Sequence, residues 1–143
     1  AAINRYLRKI SRPLLDRIDI CVEVPPIGFK DLYNTGKSER SEEIRKRVIR
    51  TQEIQKMRYC GEEFCFNSHI PSSKIFEYCK LDKKQETYME RMYNKLDLTA
   101  RTYHKILRVA RTLADMEESE QIKMRHLNEA ICYRNIDKKF WEV

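Results

Sequence analysis

The chain has 143 residues, with 29 Lys and Arg against 22 Asp and Glu, a net charge of +7, and only three glycines and four prolines. That length supports one modest core, or one domain with an attached piece, because domains typically run to about 100–150 residues. Gly28, Gly36 and Gly61 stand alone, so neither a G-x-G-x-x-G loop nor a two-glycine phosphate loop can be written, and no complete nucleotide-binding machine is encoded here.

Residues 3–12 form a short basic stretch that Pro13 should end, since the residue before a proline is driven out of the helical region. Ile18 to Val24 alternates Ile18, Ile20, Val22 and Val24 and is closed by Pro25-Pro26, which predicts a strand. One strand cannot make a sheet, so it reads as an orphan. From Gly28 to Arg40 the composition turns to that of a loop or linker.

Helices follow. Ser41 reads as an N-cap, with Glu42 and Glu43 in the first turn and Ile44, Val48, Thr51 and Ile54 at helical spacing to about Arg58. Residues 59–70 break the pattern, and Pro71 with Ser72-Ser73 starts a short helix through Cys79. Asp82 can cap a helix that carries Met89, Met92, Tyr93 and Leu96 on one face. Thr99 can cap the longest helix, about 100–117, whose Ile106, Leu107, Ala110, Leu113 and Ala114 follow a 3.6-residue period, and a last helix spans about 124–134. The expected fold class is mainly α: a bundle of four or five helices preceded by a strand and a loop.

The positive balance favours polyanionic partners, because Lys and Arg beside phosphates release condensed counterions. No apolar run approaches the roughly 20 residues of a membrane helix, and residues 1–30 carry bases where a signal peptide would be apolar. Five scattered cysteines, an odd number, read as reduced thiols in a cytoplasm. The absence of an initiator Met makes the chain read as a piece of something longer.

Four constellations could carry chemistry. DLYNTGKS, residues 31–38, ends like a phosphate loop but holds Asp31 where the first glycine belongs, so a solvated loop is the better reading. In SRPLLDRIDI, residues 11–20, Arg17 is flanked by Asp16 and Asp19. It is either a surface arginine paired with them or one held at a strand edge and offered to a phosphate, which its planar fork suits. On the long helix Arg101, Lys105, Arg108 and Thr112 share a stripe opposite the apolar face. Such a stripe is ordinarily the solvated side. Arg101, however, opposes the helix dipole in the first turn, a cost of several tenths of a kcal/mol that a bound anion removes. Finally, Cys60, Cys65, His69 and Cys79 lack a tight C-x2-C pair and read as incidental thiols rather than a zinc site. His104 and His126 have no nucleophile at a supporting spacing, so hydrolase chemistry is not indicated.

Taken in order, ISRPLLDRIDICVEVP, RSEEIRKRVIRTQEIQKMRY, FNSHIP and LTARTYHKILRVARTLADMEESEQIKMRHLNEAICYR resemble the C-terminal part of the magnesium-chelatase-like AAA+ ATPases, the ComM/YifB competence-associated family, over about residues 3–137. Arg12 departs from the pattern, which usually has glycine before the proline. The resemblance implies that residues 1–40 are the end of an α/β ATPase core, with its last strand and a linker, and that 41–143 are the C-terminal helical lid. It implies that Arg17 is the arginine finger, offered in trans to the ATP of a neighbouring subunit. Arg101 would be the second sensor, reaching the γ-phosphate, with Lys105 and Arg108 as weaker phosphate contacts. ATP and Mg²⁺ would act in the longer parent, and the piece alone would not hydrolyse ATP. Its partners would be neighbouring subunits of a homo-oligomeric, hexameric ring and DNA, in the cytoplasm and away from membranes, in competence or recombination. Two alternatives stay open: an ATPase subunit of a metal-chelatase-type complex acting on a protein partner, and a free-standing basic helical binding module.

Overall fold

The computed structural model describes residues 14, 17–24, 26, 28–29 and 39–141, from residue 135 onward as backbone. The described chain is built on five α-helices: α1 (Ser41–Arg58), α2 (Ile75–Tyr78), α3 (Lys83–Lys95), α4 (Ala100–Met116) and α5 (Met124–Trp141). Two 3₁₀ turns, Asn67–His69 and Ser72–Lys74, fill the interval between α1 and α2. The mainly α reading therefore holds.

The predicted strand does not. Residues 18–24 enter no β-ladder, no strand occurs among the described residues, and Ile18, Ile20, Val22 and Val24 all remain exposed. Alternating β-branched residues supply a preference, but a strand exists through a neighbouring strand that pairs with it in a ladder, and here no described segment does so. The phosphate-loop look-alike at 31–38 and Arg12 lie outside the described residues.

Local chemistry sets most helix ends. Asp82 accepts from the Gln85 backbone N–H at 2.9 Å, and the Gln85 side chain accepts from the Asp82 N–H at 3.0 Å, so a reciprocal capping box opens α3. Thr99 Oγ1 accepts from the Thr102 N–H at 3.1 Å and opens α4. Ser41 behaves differently: it is the first residue of α1, and Arg40 stands at the cap with no side-chain bond. A hydroxyl one position inside the helix is past the place from which it could bond the free N–H groups, whereas Glu42 and Glu43 still suit the positive helix end.

The scarcity of glycine shows at the helix stops. Asp97 (φ 44°) and Glu118 (φ 54°) take the left-handed position after α3 and α4. The Leu98 N–H then reaches Tyr93 O at 3.0 Å and the Ser119 N–H reaches Ala114 O at 2.8 Å, the closing bonds of a helix stop usually made with glycine. Each non-glycine residue there costs on the order of 1 kcal/mol, which the packing behind it offsets.

α4 is the axis of the fold. Ile106, Leu107, Ala110 and Ala114 are fully buried on one face, and the two alanines, one turn apart, let α5 approach with Leu127, Ala130 and Ile131. Met89 of α3 and Ile75 of α2 complete the core. At 17 residues α4 is one shorter than α1 and α5, so it is not the longest helix, and α5 continues to Trp141, beyond the predicted end.

The apolar face expected for α1 is covered for only part of its length. Thr51 and Gln55 are buried, but Ile44 and Val48 are more than two-fifths exposed. Arg50 already pairs with Glu118, beyond the last residue of α4. The first turns of α1 thus run past the end of the helix against which its second half packs.

Candidate functional site

The first turn of α4 opens to solvent, and there Arg101 stands exposed. One turn further, at the spacing that places two residues on one helix face, Lys105 is held. Its side chain is 11% exposed, and its Nζ lies 2.7 Å from Asp19 Oδ1 and 3.4 Å from the Ile18 carbonyl oxygen. α5 grips the same segment, with Arg134 Nη1 donating to Ile18 O at 2.5 Å and Tyr133 O accepting from the Cys21 N–H at 3.0 Å. Residues 18–21 are therefore docked across α4 and α5.

Arg17 lies immediately before this docked segment. Its backbone N–H closes a turn onto Leu14 O at 3.0 Å, and its side chain is exposed. Neither the Arg17 nor the Arg101 guanidinium makes a hydrogen bond or ion pair among the described residues. Of the two aspartates that might have neutralised Arg17, Asp19 is taken by Lys105, and Asp16 is outside the described residues. Both predicted arginines are thus exposed, Arg17 two residues before the aspartate held by Lys105 and Arg101 one turn before that lysine.

The other members of the stripe are placed differently. Arg108 Nη2 donates to Ile70 O at 2.6 Å. Thr112 Oγ1 donates to Arg108 O at 2.9 Å and accepts from Asn67 Nδ2 at 3.0 Å. The stripe is solvated at Arg101 and then pressed against the 67–70 turn, because that turn packs on the face of α4 that helical periodicity alone leaves open.

A buried polar node that sequence reasoning missed lies beyond it. The Asp115 carboxylate, with its side chain wholly buried, accepts from Arg58 Nη1 at 2.8 Å and Nη2 at 2.5 Å, from Asn67 Nδ2 at 2.8 Å and from Arg111 Nε at 3.1 Å. Arg111 also holds the turn that follows α4, donating to Ser119 O at 2.5 Å and Glu120 O at 2.7 Å. Burial disfavours the Arg58 charge, but the hydrogen bonds and field of Asp115 outweigh it and hold its pKa above the ordinary value. For Arg111, burial wins and the value falls below the ordinary one. A cleft of about 430 Å³ opens beside the node, and its bases Arg58, Lys80 and Arg111 are balanced by Glu77, Asp82 and Glu120, which gives it no preference for an anion. One signal was present in the sequence: Arg111 and Asp115 interrupt the apolar face at positions next to Ala110 and Ala114.

The thiols and imidazoles lie in unlike surroundings. Cys79 is buried, which pushes its thiol up to about 12, whereas Cys60 and Cys65 are exposed. No three potential metal-binding side chains gather among the described residues. His104 stacks edge-on to Phe76 at 5.8 Å, and burial, aided by Arg108, lowers its pKa. His126 is buried; its Nδ1 accepts from the Lys123 N–H at 3.0 Å at the start of α5, which leaves Nε2, 2.9 Å from Glu117 Oε2, to donate.

The His126 hydrogen bond, with help from Arg125, holds the Glu117 carboxyl below the ordinary value of 4.5. A lowered carboxylate stabilises the fold above its unfolded pKa, and that contribution disappears as pH falls through the folded value. Thermal melts from about pH 6 to about pH 3 are therefore expected to show Glu117→Gln less stable at the upper end and converging on the parent at the lower. A constant difference across that range would show that the carboxylate charge contributes nothing.

Residues 38–134 match the family model for the C-terminal part of magnesium chelatase, subunit ChlI, and residues 1–32 match the model for magnesium chelatase, subunit ChlI. The chain is similar to the competence protein ComM of Haemophilus influenzae, at 42% identity across 92% of this chain and 25% of that protein. It is also similar to the protein YifB of Salmonella typhimurium (37% identity, across 94% of this chain and 26% of that protein) and to YifB of Escherichia coli (35%, across 94% and 26%). It spans about a quarter of the length of these relatives. No described helix is long and apolar enough to cross a membrane.

Proposed function

Because the chain belongs to the magnesium chelatase subunit ChlI C-terminal family, we propose that it forms the helical lid and arginine-bearing segment of an ATP-hydrolysing ring protein that acts on DNA in competence or recombination. The observation that supports this reading is the Asp19–Lys105 junction: Arg17 lies two residues before Asp19 and Arg101 one turn before Lys105, both are exposed, and neither is neutralised by a partner among the described residues. Exposed guanidinium groups without carboxylate partners fit phosphate oxygens, which they can meet with paired N–H donors.

ATP, bound with Mg²⁺, supplies the γ-phosphoryl group that is transferred to water. Arg17 reaches out of the subunit toward the nucleotide of its neighbour and meets the charge that develops on the transferring group. Arg101 approaches from the first turn of α4, where the unpaired N–H groups of the helix also favour an anion. A head-to-tail ring, which closes through repeated heterologous contacts, gives every nucleotide such a neighbour. In this arrangement Lys105 and Arg108 also serve the frame, on Asp19 and the Ile70 carbonyl.

The action on DNA is tested by titrating the whole protein with branched and single-stranded DNA across a salt series. Binding that weakens steeply with salt is expected, because each phosphate contact releases about one counterion. No binding at about 50–100 mM salt would remove DNA as the substrate and leave a protein partner of the chelatase type.

A further inference from the structure

We propose that Lys105 and Asp19 form a positioning clamp that ties the segment bearing Arg17 to α4, so that the helical lid and this arginine move as one body. The inference rests on the reading of Arg17 as a phosphate-facing residue. Of the contacts that hold residues 18–21, those from Lys105 and Arg134 to Ile18 O and from the Cys21 N–H to Tyr133 O engage backbone atoms, and they fix the path of the chain. The ion pair at 2.7 Å adds register, because it holds one side chain, Asp19, against one helix position.

The residues on the two sides of this contact are unlike. The Lys105 side chain is 11% exposed and that of Asp19 is 58% exposed, so the lysine is set into the helical body while the aspartate is brought to it. Arg17 lies two residues from Asp19, about 7 Å along an extended chain, so the reach of its guanidinium depends on where Asp19 is pinned. A misplacement of about 1 Å in a positioned catalytic group can cost a hundredfold in rate.

Arg101 lies one turn before Lys105 on the same rigid helix. A rotation of α4 that follows a change at the phosphate contacted by Arg101 therefore carries Arg17 with it. In this way the state of one nucleotide is transmitted to the arginine that serves another. The lysine acts through Arg17 and is a positioning residue.

The docking itself is tested in this chain by amide hydrogen exchange. Lys105→Glu, which sets two carboxylates face to face, is expected to speed exchange at the Cys21 amide by about tenfold while the Leu107 and Ala110 amides stay protected. Asp19→Lys places the same repulsion on the more exposed partner and should do likewise, which guards against a folding defect at position 105. The double variant Asp19→Lys/Lys105→Glu restores an attractive pair and should return exchange toward the parent. Unchanged exchange in both single variants would overturn the clamp.

In the whole protein each single variant is expected to lower kcat for ATP by about tenfold with KM within about twofold, and the double variant to recover. If Arg17→Ala abolishes turnover while the single variants leave kcat unchanged, the positioning role is overturned and the phosphate-facing reading stands. If Arg17→Ala itself leaves turnover unchanged, that reading fails and the role with it, while the docking reported by exchange remains.

Discussion

Arg17→Ala in the whole protein is expected to lower ATP turnover by about a thousandfold or more while ATP affinity changes by no more than about twofold. The asymmetry follows from where the charge is needed. An arginine brought from a neighbouring subunit meets the phosphoryl group chiefly as negative charge spreads in the transition state, so its loss raises the barrier and leaves the bound ground state nearly untouched. The variant should fold normally, because Arg17 is exposed and the adjoining segment stays docked through Asp19 and Ile18. Arg101→Ala is expected to weaken both nucleotide binding and turnover, since a contact from the lid is made before and during transfer. Steady-state turnover set beside equilibrium nucleotide binding separates the two, and equal loss of binding in both variants would contradict the division of roles.

Asp115→Ala is expected to destabilise the described fold by about 3–5 kcal/mol. It would leave the guanidinium groups of Arg58 and Arg111 facing one another without the carboxylate that both now engage, and it would deprive Asn67 Nδ2 of an acceptor. Urea unfolding of this chain measures the effect as a lowered midpoint. Asp115→Asn keeps the volume and one acceptor oxygen, so it should cost less. An unchanged midpoint for the alanine variant would show that the two arginines find water or other partners at no penalty. The node joins the end of α1, the 67–69 turn and the end of α4, whose opposite end carries Arg101. Its loss would therefore loosen the frame that presents the candidate site.

The candidate site was half legible. Arg17, flanked by two aspartates, could be read as paired with them or as offered to a phosphate, Arg101 stood out as a cation set against the helix dipole, and a family resemblance supplied the roles. Lys105 and Arg108 could be put on the same stripe as Arg101, since that follows from the helical repeat. Their partners could not be read: Asp19 is 86 positions from Lys105, and the Ile70 carbonyl is a backbone atom that no side-chain pattern announces. The same distance hid the node, in which Arg58 and Asp115 lie 57 residues apart.

The sequence by itself determined where α3 and α4 begin and which face α4 buries. Asp82 with Gln85 and Thr99 with Thr102 act across three residues, and the apolar period of α4 needs no partner to be seen. Only the tertiary structure decided what those helices meet. It left the first turns of α1 uncovered, pressed one part of the α4 stripe against a turn while another stayed in solvent, and turned Lys105 from a free cation into the holder of Asp19. It also left Ile18–Val24 outside any sheet. The physical reason is range: a cap or an amphipathic period is closed within one or two turns, whereas a β-ladder, a buried ion pair and a covered face each exist through a second segment that local sequence does not contain.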